Sequence, residues 1–105
     1  MKDFVGEEIP SEILKEIVSE TINFEIPLKK INEDIYSLEL FHGPTLAFKD
    51  VGARFMSRCL SYFLKSENKK VTVLVATSGD TGGAVANGFY KTENINVVIL
   101  YPKIG

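Results

Sequence analysis

Two short stretches hold residue types and spacings that could do chemistry. The first centres on Lys49. A lysine amine in a partly dry place favours its neutral form, and the neutral amine is the form that attacks an aldehyde carbonyl. Gly52 and Ala53 follow closely and remove side-chain bulk, leaving space for a flat ring beside the amine. The second stretch is Thr77-Ser78-Gly79-Asp80-Thr81-Gly82-Gly83. Backbone N–H groups at a helix start have no internal partner and form an anion site. The glycines admit a ligand close to the backbone, while Ser78 and Thr81 add hydroxyl donors. Asp80 would repel a phosphate, but it suits a hydrogen bond from a hydroxyl or amine, or a helix cap. A carboxylate-bearing amino acid held by Ser78, Thr81 and the N–H groups is the easier fit. The bland alternative is a capped turn that holds no ligand, with Asp80 or Thr81 as N-cap.

Other reactive side chains carry less. His42 is the only histidine. Without cysteine or clustered carboxylates nearby it makes a poor metal site, and shaping the turn before Gly43 is its simpler role. Cys59 is the only cysteine and sits in an apolar helical pattern, which favours a small core hydrophobe over a catalytic thiol. Neither G-x-x-x-x-G-K-[ST] nor G-x-G-x-x-G occurs, so a nucleoside-triphosphate loop and a dinucleotide fingerprint are both unsupported.

The elements that must position these residues can be read from periodicity. Pro10-Ser11 opens a helix with Ile13, Leu14, Ile17 and Val18 on one face. Residues 35–40 (IYSLEL) alternate as a strand, and His42-Gly43-Pro44 signals a turn. A long helix is predicted from residue 45 to about residue 64. On its wheel Asp50, Arg54, Ser57, Arg58, Ser61 and Lys65 share an arc, the expected solvated face. Lys49 falls instead with Ala53, Met56, Leu60 and Phe63 on a small and apolar arc, where it either snorkels out at the helix end or serves a partly dry site. Residues 71–75 (VTVLV) and 97–100 (VVIL) read as strands buried on both faces, with a helix between them reaching about residue 90. The order β-α-β-α-β predicts an α/β fold, a parallel sheet covered by helices, with both unusual segments on one rim. Residues 1–34 are a helical lead-in to this 35–105 unit.

Composition sets outer bounds. The length of 105 residues is that of one small domain, and 45% hydrophobic with 25% charged residues disfavours disorder. A net charge of −2, with no basic run longer than Lys69-Lys70, argues against a nucleic-acid surface or a polybasic membrane anchor. A lone cysteine allows no internal disulfide and fits a reducing compartment. The longest apolar run is too short to span a bilayer and no secretory pattern opens the chain, so a cytoplasmic location is expected.

Residues 38–50 (LELFHGPTLAFKD) closely resemble the lysine segment of the threonine synthase family, enzymes dependent on pyridoxal 5′-phosphate (PLP). Residues 76–82 (ATSGDTG) resemble that family's substrate and cofactor loop, and residues 98–103 (VILYPK) its following strand. The combination, in this order over some two-thirds of the chain, is specific. The resemblance implies a partial three-layer α/β/α unit of the fold-type II, tryptophan synthase β-like kind. It implies a lyase turning O-phospho-L-homoserine and water into L-threonine and phosphate. Lys49 would carry PLP as a Schiff base, Phe48 would pack near the ring, and Asp80 would meet the cofactor's 3′-hydroxyl side. Thr77, Ser78, Gly79, Asp80, Thr81 and Gly82 would line the substrate. Family members are chains of several hundred residues, so an internal piece of such an enzyme is expected, inactive by itself. Its open sheet edges would invite self-association. Two rivals remain: a related PLP dehydratase or cysteine synthase-like enzyme, and a non-catalytic α/β domain that binds a small anion or a partner.

Overall fold

Pro10 sets the first boundary: its ring holds φ at −54°, and helix α2 (Ser11–Thr21) starts directly after it, preceded by the single turn α1 (Lys2–Val5). The computed structural model describes residues 1–103, so the last two positions of the expected 35–105 unit lie outside the described residues. Leu14 and Ile17 of α2 are buried with Ile9, against the half-buried Phe55, Cys59 and Tyr62. Each such aliphatic side chain contributes roughly 1.5–3 kcal/mol when fully buried. The face predicted for this helix is the one that packs, except that Val18 at its margin is exposed.

The strand expected at residues 35–40 forms as β2 (Tyr36–Leu38), but it does not join the parallel sheet. It pairs antiparallel with β1 (Leu28–Lys30), with Lys29 opposite Ser37. The turn between them is made by Asn32, whose Oδ1 accepts the N–H groups of Asp34 at 3.2 Å and Ile35 at 3.0 Å. Such an Asx turn reverses the chain at once, so the nearest partner wins over a distant one. The hairpin bridges the boundary drawn at residue 34.

The long helix is α3 (Lys49–Glu67), four residues later than the pattern predicts. Leu46 is held at φ 60°, a left-handed conformation that cannot continue a helix. The helix ends on Asn68, also left-handed, whose N–H reaches Leu64 O. The first half of its supposed solvated arc is buried, and only Lys65 at the far end is exposed. Asp50, Arg54 and Ser57 are 0%, 8% and 1% exposed, whereas Met56 and Phe63 on the apolar arc are 46% and 40% exposed. Hydrogen bonds explain the inversion. Arg54 Nε donates to Thr21 O at 2.9 Å, and Nη2 donates to Glu20 O at 2.6 Å and Asn23 Oδ1 at 3.0 Å. Two of those acceptors are carbonyls in the last turn of α2, which lack partners inside their own helix. Ser57 Oγ donates back to Arg54 O at 2.9 Å. A fully bonded polar seam thus joins α2 to α3 where an apolar one was expected.

The parallel α/β class expected from the sequence is what the chain adopts, in partial form. Strand β3 (Val71–Ala76) runs parallel to β4 (Ile95–Leu100), from Val71 opposite Ile95 to Ala76 opposite Leu100, with α4 (Asp80–Gly88) as the crossover. Val73, Val75, Ile95 and Val97 cover a core of Ala53, Ala84, Val85 and Phe89. The alternate residues Thr72, Leu74, Asn96, Val98 and Leu100 are exposed, so among the described residues helices cover one sheet face and not both. Helices α3 and α4 approach closely because Gly88 has no side chain: a Cβ there would lie 3.0 Å from Ala53 C and 3.1 Å from Ala53 O.

Candidate functional site

The turn before α3 is built around one carboxylate. Asp50 Oδ2 accepts the Thr45 N–H at 2.9 Å, and Oδ1 accepts the Thr45 hydroxyl at 2.6 Å. The Asp50 N–H donates to Ala47 O at 3.0 Å, and the Leu46 N–H to Gly43 O at 3.1 Å. Gly43 is buried against the same carboxylate; a Cβ at that position would lie 2.6 Å from Asp50 Oδ2 and 3.0 Å from Phe24 Cζ. Residues 43–50 therefore close on themselves, which gives the glycine, threonine and aspartate of GPTLAFKD a shared physical purpose.

Lys49 is the first residue of α3 and is half-buried. Its Nζ lies 4.7 Å from the centroid of the Phe48 ring, a cation–π distance. Among the described residues it makes no ion pair, although Lys15, Lys65 and Lys69 all do. A Cβ added at Gly52, one turn along the same face, would meet nothing within 4 Å. An amine not tied to a carboxylate, an aromatic face beside it and open space one turn on suit a flat, aldehyde-bearing ring.

The second segment lies at the end of the parallel strands. Thr77 N–H donates to Leu100 O at 2.9 Å, tying the loop to β4, and Thr77 Oγ1 accepts the Gly79 N–H at 3.2 Å. Gly82 is buried under Thr77: a Cβ there would lie 2.5 Å from Thr77 Cγ2 and 3.4 Å from Ile99 Cγ2. Thr77, Ser78, Gly79, Gly82, Gly83 and Ile99 line an open cleft of about 440 Å³. Gly79 takes the N-cap position with no side-chain cap bond, so neither Asp80 nor Thr81 caps α4 as the ligand-free alternative supposed. Asp80 is exposed on the first turn with its carboxylate open to an incoming donor, and Thr81 beside it is half-buried. The lysine does not line this cleft; its helix reaches α4 through the contact between Ala53 and Gly88.

His42 Nε2 lies 2.9 Å from Glu39 Oε1, and its ring stacks 4.6 Å from Phe41, so it braces the segment ahead of Gly43. Cys59 is half-buried beside the Ile9, Leu14 and Ile17 cluster, and burial pushes its thiol above the ordinary value, away from a reactive thiolate. Sequence reasoning missed Asp50, Thr45 and Arg54 as builders of the site. The available signal was the run of Asp50, Arg54 and Ser57 at helical spacing, which is a seam of short polar groups and one guanidinium rather than a random solvated mix.

No family model matches the chain. Individual proteins do. Threonine synthase from Haemophilus influenzae is 57% identical over 96 residues, 91% of this chain and 22% of that protein. Threonine synthase from Escherichia coli is 54% identical over 100 residues, 95% of this chain and 23% of that protein. The crystal structure of the Escherichia coli enzyme superposes with a TM-score of 0.86 at 53% identity, covering 97% of this chain and 23% of that one. That of a PLP-bound threonine synthase from Brucella melitensis superposes with a TM-score of 0.92 at 39% identity, covering 98% and 23%. The chain thus spans just under a quarter of the length of the relatives it matches.

Proposed function

The chain is threonine-synthase-like in sequence and in fold, and from that premise we propose that it forms the lysine-bearing part of a PLP-dependent lyase converting O-phospho-L-homoserine and water to L-threonine and phosphate. The observation that carries this reading is identity above 50% in an alignment covering 98% of the chain, which takes in both the lysine segment and the glycine loop. The activity is proposed for the whole protein, of which these residues supply the amine and half of the substrate site. When bound, PLP supplies an electron sink for the charge that develops on substrate carbons.

The remaining work falls to this chain's own groups. Lys49 Nζ would hold the cofactor and, when free of it, would take and return a proton, a task for which an amine without a carboxylate partner is suited. Phe48 packs its ring beside that amine. Ser78 and Thr81 would present hydroxyl and N–H groups to the substrate carboxylate at the start of α4, where the helix dipole favours negative charge. Thr77, Gly79 and Gly82, whose N–H groups are donated to Leu100 O, Thr77 Oγ1 and Gly79 O, line that turn and hold its shape. Asp80 would accept a hydrogen bond from the cofactor's hydroxyl or the substrate's amine. The matches reported above are threonine synthases, which supports this reading over a serine or threonine dehydratase, a cysteine synthase-like enzyme or an anion-binding domain. No helix among the described residues is long and apolar enough to cross a membrane; we place the protein in the cytoplasm. The partner is the amino-acid substrate, with self-association through the open strand edges as a second contact. Phosphate release from O-phosphohomoserine by the whole protein tests the assignment: Lys49→Ala abolishes it, and release that persists in that variant removes Lys49 from the chemistry.

A further inference from the structure

We propose that Asp50 and Thr45 form a clamp that positions Lys49. The inference rests on the role proposed above for that lysine and adds the residues that aim it. Asp50 is fully buried, and a carboxylate in that position is costly unless its oxygens are hydrogen-bonded. Both are, and both to Thr45: its N–H at 2.9 Å on Oδ2 and its hydroxyl at 2.6 Å on Oδ1. Charge-assisted bonds of this kind are the stronger ones, and two to one residue fix orientation as well as distance. Gly43 is the floor of the clamp, since any side chain there would collide with Oδ2. Leu46, at φ 60°, is the residue whose backbone absorbs the turn.

Lys49 lies inside this closed loop, next to the residue that closes it. The Asp50–Thr45 bonds and the Asp50 N–H on Ala47 O hold the backbone on either side of it, and so the direction in which its side chain leaves the helix. The other end is held too. Arg54, one turn on, is anchored to the end of α2 through Thr21 O and Glu20 O, and to Asn23 Oδ1 just beyond it. Thr45 and Asp50 are therefore positioning residues that act through the backbone of Lys49.

The test is capture of PLP by the whole protein, by borohydride reduction followed by peptide mapping, read as the ratio of label on Lys49 to label on Lys69, Lys70 and Lys103. Those three lysines report general amine reactivity within the same molecule. Thr45→Val removes the hydroxyl and keeps the shape; it is expected to lower the ratio about tenfold, the scale of one charge-assisted hydrogen bond. Thr45→Ser restores the hydroxyl and is expected to restore the ratio. An unchanged ratio in Thr45→Val overturns the clamp while leaving the lysine assignment standing. An unselective ratio in the unmutated whole protein sinks the lysine assignment, and this inference with it. Hydrogen exchange on the unmutated whole protein gives a readout that does not depend on a variant folding: the Thr45 amide is expected to be protected, and exchange at the rate of an open loop overturns the clamp.

Discussion

Gly88→Ala is the sharpest probe of how α3 is held against α4. An added Cβ would sit 3.0 Å from Ala53 C, 3.1 Å from Ala53 O and 3.2 Å from Arg54 N. All three are backbone atoms of α3, so no side chain can turn aside and the helices must separate. Overpacking of this kind costs about 1–3 kcal/mol. Gly83→Ala, in the same helix, is the internal control, because a Cβ there meets nothing within 4 Å. It removes the same backbone freedom and is expected to stabilise by about 0.5–1 kcal/mol. The difference between the two variants therefore isolates the contact, at about 1–3 kcal/mol. Urea unfolding followed by circular dichroism gives the numbers, provided the slope with denaturant is the same in both. For a chain of this size each kcal/mol also moves the melting midpoint by roughly 4–8 °C. If Gly88→Ala proves as stable as Gly83→Ala, the close approach of the helices is wrong, and the placement of Lys49 relative to the loop falls with it.

Other perturbations test neighbouring parts. Arg54→Met leaves the Thr21 and Glu20 carbonyls without their donor and is expected to destabilise by at least about 2 kcal/mol in the same unfolding assay; a neutral result would return this arc to the solvent. Burial raises the Cys59 thiol above its ordinary 9.0, so the folded state prefers the protonated form. Stability from that preference is complete below pH 9.0 and is lost as pH rises through the folded value, and a thiol-specific reagent should react more slowly than with an unfolded control. Equal rates would contradict that burial. The exposed alternate residues Leu74, Val98 and Leu100 leave an apolar face on a two-stranded sheet; light scattering is expected to show association that grows with concentration and weakens in Val98→Lys. A monodisperse monomer across the range would count against it.

Much of the architecture was legible because periodicity reports which side chains pack. The apolar face of α2, the runs that became β3 and β4, and the crossover helix between them all follow from that rule. The hairpin was not, because β1 is two lysines and a leucine with no buried face, and only the Asn32 turn announces it. The wheel of α3 misled for a physical reason. Polarity marks a solvated face only when polar groups lack partners inside the protein, and Asp50, Arg54 and Ser57 all have them. Lys49 consequently shares its arc with exposed Met56 and Phe63 as well as buried Ala53, and its apolar setting is narrower than the sequence implied. The glycine loop was readable from its composition as the turn between a strand and a helix. The Thr77 hydroxyl that holds Gly79, and the contact that keeps Gly82 free of a side chain, needed coordinates.

The central claim is that Lys49 is the amine that carries the cofactor, and the most direct measurement maps where PLP attaches. The whole protein is incubated with PLP, reduced with borohydride and digested, and the modified peptides are quantified by mass spectrometry. The account predicts label concentrated on Lys49, with visible absorption before reduction that disappears in Lys49→Ala. Label spread evenly over Lys49, Lys69, Lys70 and Lys103, or absorption unchanged in Lys49→Ala, would contradict it.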